Sequence, residues 1–363
     1  SNKNKILSLL SNSFEKNLDN NELNQIISSL DKLNWCKYKM IDSHVHVLDF
    51  KQETEWLKVL LEYMDKTNIE SCVIFGMPVV KIWAENERER PEYYLDDDNE
   101  CYYYSSTDDI LANEYNKLTK NKQKRFYPLC CWFNPMDINA INHIERIFKN
   151  NPWVFCWIWE IFYRHDDLTF LTQWEPPRMN SKSTYKILEF ATKYDLPVMI
   201  HNNIASPWIT DYPKYLHELE IMLREFPKAK IILSHCWASR RLYAPYYVKM
   251  INRLLNQYLW LYVDYSWVVF DDIISYNKTT IEEWVWLTEK FSNRIMIWSD
   301  ILWKWFHQIG YINNKFNNFL DRLSKNTREN ICINNAKNLF SKSKNNVELD
   351  KKRIYPSLED INY

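Results

Sequence analysis

The chain of 363 residues carries 46 basic and 47 acidic side chains, for a formal net charge of −1, and 46% of its residues are hydrophobic. This balance excludes binding to nucleic acid through a strong overall positive charge, and it excludes a highly acidic disordered chain. The length and the hydrophobic share suffice for a large core, in one big domain or in two of ordinary size.

The sequence has no feature of a membrane or secreted protein. No apolar run approaches the roughly 20 residues that a membrane-spanning helix needs, and the N-terminal segment lacks the pattern of a secretory signal. The eight cysteines form no Cys-x-x-Cys pair, and several lie inside apolar runs. Buried, reduced thiols explain this distribution better than a disulfide framework. We therefore expect a cytoplasmic protein with no membrane or nucleic-acid partner.

The chain begins with a predicted helical extension over residues 1–37. Within it, the segment 21–33 (NELNQIISSLDKL) places apolar residues at helical spacing, which is typical of an amphipathic helix. We expect this extension to pack on the outside of the domain that follows.

From residue 38 onward, short apolar runs alternate with helix-like segments. The runs are nearly continuous and rich in β-branched and aromatic residues, as expected for parallel strands buried on both faces. They lie at 38–46, 70–78, 125–135, 152–160, 196–201, 230–235, 259–266 and 294–300. This eightfold alternation predicts an α/β fold, a TIM (β/α)8 barrel over residues 38–340. A doubly wound open sheet, the competing fold, would have a glycine-rich loop after the first strand, where this chain has no glycine.

The spacing of the strands is regular except for a long insertion after the second strand, residues 79–124. Its acidic and aromatic composition shows neither helical nor strand periodicity. Because it follows the C-terminal end of a barrel strand, we expect it at the mouth of the active site, as a lid or an oligomer contact; a solvated surface excursion is the alternative. The polar tail, residues 341–363, is expected to extend over the surface.

Several histidines close predicted strands. His44 and His46 lie at the end of the first strand, His201 ends the fifth, and His235 ends the sixth. Residues two apart in a strand project from the same face, so His44 and His46 point together. Asp300 ends the eighth strand, which neighbours the first in a closed barrel. Imidazoles and a carboxylate at strand C-termini suit Zn²⁺, Mn²⁺ or Fe²⁺ at the catalytic end of a TIM barrel.

These strand-end motifs, HVH, PVMIH, KIILSH and RIMIWSD, resemble those of the amidohydrolase superfamily. More narrowly, they resemble the amidohydrolase-2 branch of metal-dependent hydrolases and decarboxylases, over nearly the whole of residues 38–340. The resemblance implies that His44, His46, His201 and Asp300 hold a divalent metal, zinc first of all. It also implies that His235 either binds a second metal or contacts the substrate and the reacting water.

The predicted fourth strand departs from the family pattern. Many two-metal amidohydrolases carry a carboxylated lysine there, and this chain has no lysine between Lys149 and Lys182. The strand ends instead in Glu160, which resembles the bridging glutamate of TatD-type deoxyribonucleases, although the glycine-rich turn of those enzymes is absent. Glu160 therefore either bridges two metals or, as an outer residue, pairs with an arginine or orients a ligand histidine.

Other residues near the strand ends form weaker patterns. After His235, the residues Trp237, Arg240 and Arg241 are candidates for substrate binding, in which an arginine would hold a carboxylate. A core tryptophan and a solvated pair of arginines are the alternatives. Asp264, on the seventh strand, is a candidate partner of the substrate or of a ligand. The remaining histidines, at 143, 165, 217 and 307, are expected in solvent-exposed helices or loops.

The resemblance implies a metal-dependent hydrolase of small molecules. A metal-activated water would attack an amide, lactone or ester carbonyl, Asp300 would accept its proton, and His235 would stabilise the developing oxyanion or orient the water. A non-oxidative decarboxylase of aromatic or unsaturated acids is the enzymatic alternative, and a barrel with a structural metal is the non-catalytic one. The insertion and the aromatic surface favour a homodimer.

Overall fold

The computed structural model describes residues 37–340, apart from Glu92, Asp96, Trp132, residues 173–175, Arg240 and Ala244. The predicted N-terminal extension, except for its last residue, and the predicted tail at 341–363 lie outside the described residues. Within the described part of the chain, no helix is long and apolar enough to cross a membrane.

Eight parallel strands form a closed barrel. In chain order, the strands are β1 (Met40–His46), β2 (Ile69–Phe75), β3 (Val79–Lys81), β4 (Cys101–Tyr103), β5 (Phe126–Cys130), β6 (Trp157–Phe162), β7 (Val198–His201), β8 (Ile231–Leu233), β9 (Leu261–Tyr265), β10 (Ile295–Ile297) and β11 (Ile301–Leu302). All except β3 and β4 belong to one parallel sheet. The eighth barrel strand is split, since β10 pairs with β9 and β11 pairs with β1. The ring is therefore closed, which confirms the predicted TIM barrel.

Helices cover the outside of the barrel and connect successive strands. They are α1 (Trp56–Lys66), α2 (Thr107–Asn116), α3 (Lys120–Gln123), α4 (Ala140–Asn150), α5 (Lys182–Lys193), α6 (Leu216–Glu225), α7 (Tyr247–Gln257), α8 (Trp267–Val269), α9 (Lys278–Lys290), α10 (Ile309–Asn314), α11 (Asn317–Leu320), α12 (Lys325–Glu329) and α13 (Asn335–Phe340). Side-chain caps fix where some of them begin: Ser181, Asn277 and Ser324 each accept a hydrogen bond from a backbone N–H of the first turn.

The strands are buried on both faces, which explains their nearly continuous apolar sequences. In β8, Ile232 belongs to the core inside the barrel, whereas Ile231 and Leu233 belong to the core between strands and helices. The interior core also contains Trp157 and Phe340, whose rings stack with centroids 4.1 Å apart. Because side chains fill the interior, the C-terminal ends of the strands are left as the place for a site.

The insertion at 79–124 is more regular than its sequence indicates. β3 and β4 pair as an antiparallel hairpin, and α2 and α3 follow them. The expectation that this region lacks helical and strand structure is therefore wrong, and the irregular excursion is confined to the loop between β3 and β4. The sequence pattern does not predict helix α2, because polar residues surround its short buried face of Leu111, Ala112 and Tyr115.

Candidate metal centre

A set of polar side chains converges at the C-terminal end of the barrel. Each follows or interrupts a different strand, apart from the two histidines of β1, and all are buried except Asp300, whose side chain is 11% exposed. The set comprises His44 and His46 of β1, Glu160 of β6, His201 of β7, His235 in the turn after β8, and Asp300 between β10 and β11. The structure thus brings together the predicted ligands, and it places Glu160, for which the sequence left two roles open, among them.

The histidine pair of β1 faces one oxygen from each of two carboxylates. Nε2 of His44 lies 3.0 Å from Asp300 Oδ1, and Nε2 of His46 lies 3.3 Å from the same atom. Glu160 Oε2 lies 3.4 Å from His44 Nε2 and 3.3 Å from His46 Nε2. Ligand atoms about 2.0–2.1 Å from a tetrahedral metal are about 3.3 Å from one another. The contacts of 3.0–3.4 Å are close to this spacing, and the ligand atoms of His44, His46 and Asp300 all lie within 4.8 Å of one another, as those of one ion do.

The other oxygens of the two carboxylates face the remaining histidines. Glu160 Oε1 lies 3.3 Å from His201 Nδ1 and 3.6 Å from His235 Nε2. Asp300 Oδ2 lies 3.7 Å from His235 Nε2. Glu160 therefore has one oxygen among the histidines of β1 and the other between His201 and His235.

Hydrogen bonds on the far side of the rings determine which nitrogen faces the site. The carbonyl of Gly76 can only accept, so His46 Nδ1, 3.2 Å away, donates to it. Ser266 Oγ donates its proton to Asp264, so it accepts from His235 Nδ1 at 2.7 Å. In the neutral rings, the Nε2 lone pairs of His46 and His235 are therefore directed at Glu160 and Asp300.

This arrangement fits a divalent cation. Lone pairs of neutral imidazoles that face ionised carboxylates repel them unless a proton or a cation lies between. Glu160 Oε2 is buried and, within the described residues, has no hydrogen-bond partner, although two imidazole nitrogens lie within 3.4 Å. Imidazole and carboxylate together suit zinc, manganese or iron. The donor set thus satisfies the chemical requirement of a metal centre.

Protons take the place of the cation in the metal-free protein. Burial opposes the charged form of His44, but Asp300 and Glu160 outweigh it and raise the pKa of His44 well above 6.5. The pKa of His46 is raised for the same reasons. Burial likewise opposes ionisation of Glu160 and Asp300, but the neighbouring imidazoles, His44 first, hold the pKa of both carboxyls below the usual range.

Metal uptake should consequently release protons and weaken as the pH falls. A raised histidine pKa also stabilises the metal-free protein fully below about pH 6.5, and this stability is lost as the pH rises through the folded-state pKa. We therefore expect the melting temperature of the metal-free protein to fall as the pH rises above about 6.5, because the pKa values of His44 and His46 are raised. Melting curves and proton release in weakly buffered metal titrations test this. The doubly substituted His44→Asn, His46→Asn protein should show neither effect, and a wild type that behaved like it would contradict the expectation.

Strained backbone accompanies the site. Glu160, His235, Trp267 and Asp300 all have positive φ, at 23°, 53°, 60° and 57°. Such conformations cost about 1–3 kcal/mol each and persist only where the surroundings enforce them. In β6, the pairing with β7 shifts register between Ile158 and Ile161, so a bulge there redirects Glu160.

Two buried carboxylates support the site from outside. Asp264 accepts hydrogen bonds from Ser266 and from the backbone N–H of His235, and its Oδ2 lies 3.8 Å from His44 Nδ1. Asp42 accepts from the backbone N–H groups of His44 and Ser299, 3.3 and 3.1 Å away. Asp264 thus orients two imidazoles, and Asp42 joins the first strand to the eighth.

Gly76, directly after β2, affects the positions of both helix α2 and the side chain of His46. It is one of only two glycines in the chain. A Cβ atom at this position would lie 2.1 Å from Oγ1 of Thr107, the first residue of α2. The missing side chain therefore allows α2 to approach while the Gly76 carbonyl holds His46.

Replacing Gly76 with alanine should disturb the site through this contact. We expect overpacking to lower the free energy of unfolding by about 1–3 kcal/mol. Metal affinity should fall by about 10- to 100-fold, because His46 loses a well-placed acceptor. Chemical denaturation and metal titration measure the two effects. Combining it with Thr107→Ala removes the clashing hydroxyl and should recover most of both, whereas no recovery would show that the clash is not the cause.

A pocket of about 270 Å³ opens above the converging ligands. Its walls are mainly aromatic, formed by Tyr93, Tyr94, Phe162, Trp267 and Trp305. Tyr93 and Tyr94 belong to the loop between β3 and β4, so the insertion covers part of the pocket. The buried Lys81 holds this loop, since its Nζ donates to the Tyr94 carbonyl at 3.1 Å and lies 2.8 Å from Asp97 Oδ1.

The prediction that His165 is solvent-exposed is wrong. Its ring is buried, lines the pocket and stacks on His201 with centroids 4.6 Å apart. Thr169 Oγ1 accepts from the backbone N–H of His165 at 2.8 Å and fixes the loop after β6. The sequence does not predict a place for His165 in the pocket, because this residue lies in an irregular loop after β6 and does not end an apolar run.

His143 is also buried, contrary to the prediction, whereas His217 and His307 are exposed as predicted. His143 Nε2 lies 3.6 Å from Asp108 Oδ2, to which the Cys130 thiol donates at 3.1 Å. The backbone N–H of Cys131 donates to the other oxygen of Asp108. We interpret this cluster as a network of hydrogen bonds around one buried carboxylate.

Of the residues predicted to bind substrate after His235, the two that the structure describes do not line the pocket. Arg241 extends over the surface, where it pairs with Asp166 at 3.2 Å and Asp167 at 2.7 Å. Trp237 is fully buried in the core between strands and helices, the alternative considered for it. Arg240 lies outside the described residues. Local acidic partners and core packing thus explain the two that are described.

The family model described as Amidohydrolase, of the Amidohydro_2 type, matches residues 167–342. This segment contains His201, His235 and Asp300, and the match confirms the resemblance that the strand-end motifs indicate. No curated protein sequence matches the chain.

Solved structures with the same fold include enzymes of different kinds. An uncharacterised TIM-barrel protein from Bordetella bronchiseptica is 14% identical, with 84% of this chain and 99% of that chain covered and a TM-score of 0.54. A dihydroxybenzoic acid decarboxylase from Polaromonas, with bound manganese and 2-nitroresorcinol, is 15% identical, with 83% and 96% covered and a TM-score of 0.52. A dihydroorotase from Campylobacter jejuni is 14% identical, with 87% and 85% covered and a TM-score of 0.50. At these identities the likeness concerns the fold.

Proposed function

We propose that this barrel of the amidohydrolase superfamily is a hydrolase that uses two divalent metal ions, bridged by Glu160, to cleave an amide, lactone or ester of a small molecule. The observation that carries the proposal is the placement of the two Glu160 oxygens. One faces the Nε2 atoms of His44 and His46, and the other faces His201 and His235. Asp300 reaches both groups as well. A site for one ion would not need a carboxylate between two pairs of imidazoles.

When bound, divalent ions of this kind lower the pKa of a coordinated water and polarise a carbonyl oxygen. The residues of the chain supply the rest of the reaction. Asp300 accepts the proton of the attacking water and returns it to the leaving group, for which its partial exposure toward the pocket suits it. His235, whose Nδ1–H is held by Ser266 and through it by Asp264, would hold the second ion through Nε2 beside Glu160. Rigid strand ends preorganise all these groups.

Non-oxidative decarboxylation of an aromatic acid is the second candidate. The aromatic walls of the pocket favour it, because a flat ring fits between Tyr94, Phe162 and Trp267, and an apolar site favours loss of charge from a carboxylate. In that reaction the bond between the ring carbon and the carboxylate breaks, CO₂ leaves, and the carbon takes up a proton. Glu160 would then have no bridging role, so the number of metal ions separates the two candidates.

Metal content and turnover of the wild-type protein test the proposal. We expect two zinc or manganese ions per chain by mass spectrometry, on protein prepared without chelators, and hydrolysis in panels of lactones, amides and esters. One ion, with CO₂ released from aromatic acids, would favour the decarboxylase. A single inert ion without any turnover would favour a non-catalytic barrel, and the absence of metal after reconstitution would reject all three.

A further inference from the structure

The lining of the pocket includes a cation in addition to the acidic metal centre. Lys315 lies between α10 and α11 and lines the pocket beside Trp267. Among the described residues that line the pocket, it is the sole lysine or arginine. The other charged side chains there are Glu160 and Asp300, which face the histidines.

Hydrogen bonds hold the ammonium group of Lys315 in place. Its Nζ donates to the carbonyl of Trp267 at 2.7 Å and to Asp271 Oδ2 at 3.0 Å. The rings of Phe270 and Phe316 lie 5.6 and 5.4 Å from Nζ, close enough for cation–π attraction. An ammonium group has three N–H donors, so two fixed bonds leave a third for a ligand.

Trp267 connects this cation to the metal centre. Its left-handed backbone, with φ of 60°, directs the carbonyl to Lys315, while its ring lies 5.0 Å from that of His235. One residue therefore forms both the wall of the pocket beside His235 and the support of the ammonium group. A pocket of this volume is about 8 Å across, which matches a single ring with one group at each end.

We propose that Lys315 binds the anionic end of the substrate, so that the group that reacts lies at the opposite end, against the metal ligands. The inference rests on the proposed function and narrows it to small, flat monoanions, such as ring compounds that carry one carboxylate in addition to the lactone, amide or ester. The carboxylate of the substrate then contributes to binding and does not react. The aromatic walls of the pocket hold the ring between Lys315 and the metal ligands.

Paired ligands that differ only in charge test this proposal. Benzoate and benzamide have the same shape, and calorimetry on metal-loaded protein gives the affinity of each. We expect the wild type to bind benzoate at least tenfold more tightly than benzamide. Lys315→Met should weaken benzoate at least tenfold and leave benzamide unchanged, and Lys315→Arg should restore most of the preference. Lys304→Met, which removes an exposed lysine near the pocket without lining it, should bind both ligands as the wild type does.

A crystal structure of the wild type with 4-bromobenzoate gives a second test that needs no variant, because the bromine signal fixes the direction of the ring. A carboxylate within hydrogen-bond distance of Lys315 is expected. A carboxylate on the metal ligands, equal losses of benzoate and benzamide in Lys315→Met, or no benzoate binding by the wild type would each overturn the proposal. If the preference for benzoate depends on Lys315 but the protein hydrolyses no lactone, amide or ester, the proposal that Lys315 binds an anion is kept and the proposed hydrolase function is rejected.

Discussion

Replacing Glu160 with glutamine should reduce the bound metal from two ions per chain to at most one and lower hydrolysis by about 10³-fold or more. The amide has the size of the carboxylate but lacks the charge that both groups of histidines face. Each ion would lose an anionic ligand at once, because the two oxygens of Glu160 belong to different groups. Mass spectrometry of the metal content, with kinetics on the best substrate of the panels, measures the two effects.

Glu160→Asp separates the charge of this residue from its reach. The shorter side chain keeps the carboxylate but cannot contact both groups, so we expect one ion to remain and the second to bind weakly. Glu189→Gln, on the exposed face of α5, is the matched control and should leave metal content and activity unchanged. A Glu160→Gln protein that keeps two ions and full activity would show that Glu160 is only a supporting residue of a different centre.

The strand-end histidines could be predicted because each closes an apolar run. A histidine at the end of a buried parallel strand indicates a functional role for its imidazole at the C-terminal face of the barrel. Because the barrel is closed, the ends of different strands lie close together there. The split eighth strand also agrees with this logic, since β11 pairs with β1 and places Asp300 beside His46. Periodicity and topology were therefore enough for most of the centre.

The central position of Glu160 could not be predicted in the same way. The direction of the Glu160 side chain depends on a bulge in β6 and on a backbone φ of 23° at this residue. The sequence WIWEIF predicts neither feature. The sequence left two roles open for this residue. The distances to four imidazole nitrogens, all between 3.3 and 3.6 Å, favour the bridging one.

Residues outside the strands depended on partners that are distant in sequence. Arg241 forms salt bridges with Asp166 and Asp167 on the surface. The ring of His165 packs inside the pocket against that of His201. Lys315 reaches the pocket only because the segment after the eighth strand returns to Trp267. Contacts of this kind follow from tertiary packing, for which a single sequence carries no local signal.

The scarcity of glycine adds to the strain of the site. Chains usually place glycine where the backbone must be left-handed, but here His235, Trp267 and Asp300 adopt such conformations themselves. The structure describes no glycine with positive φ. Because these residues of the site are strained, substitutions at them should be chosen to tolerate positive φ, or folding defects will obscure their chemistry.

Asp300→Asn meets this requirement, since asparagine tolerates the left-handed region at least as well as aspartate. We expect kcat to fall by about 10²- to 10⁴-fold, because an amide cannot accept the proton of the attacking water. Glu160 and the histidines remain, so at least one ion should stay bound. Steady-state kinetics across pH, together with metal content, separate the roles of base and ligand.

The pH profile decides what a loss of activity means. If Asp300 is the base, Asp300→Asn should abolish the acidic limb of the kcat/KM profile and retain metal. If the substitution merely releases metal, and added metal restores full turnover, Asp300 is a ligand without a role in proton transfer. The carboxylate lies 3.0 Å from His44 and 3.7 Å from His235, and it also lines the pocket. That shared position is why we expect it both to hold an ion and to move a proton.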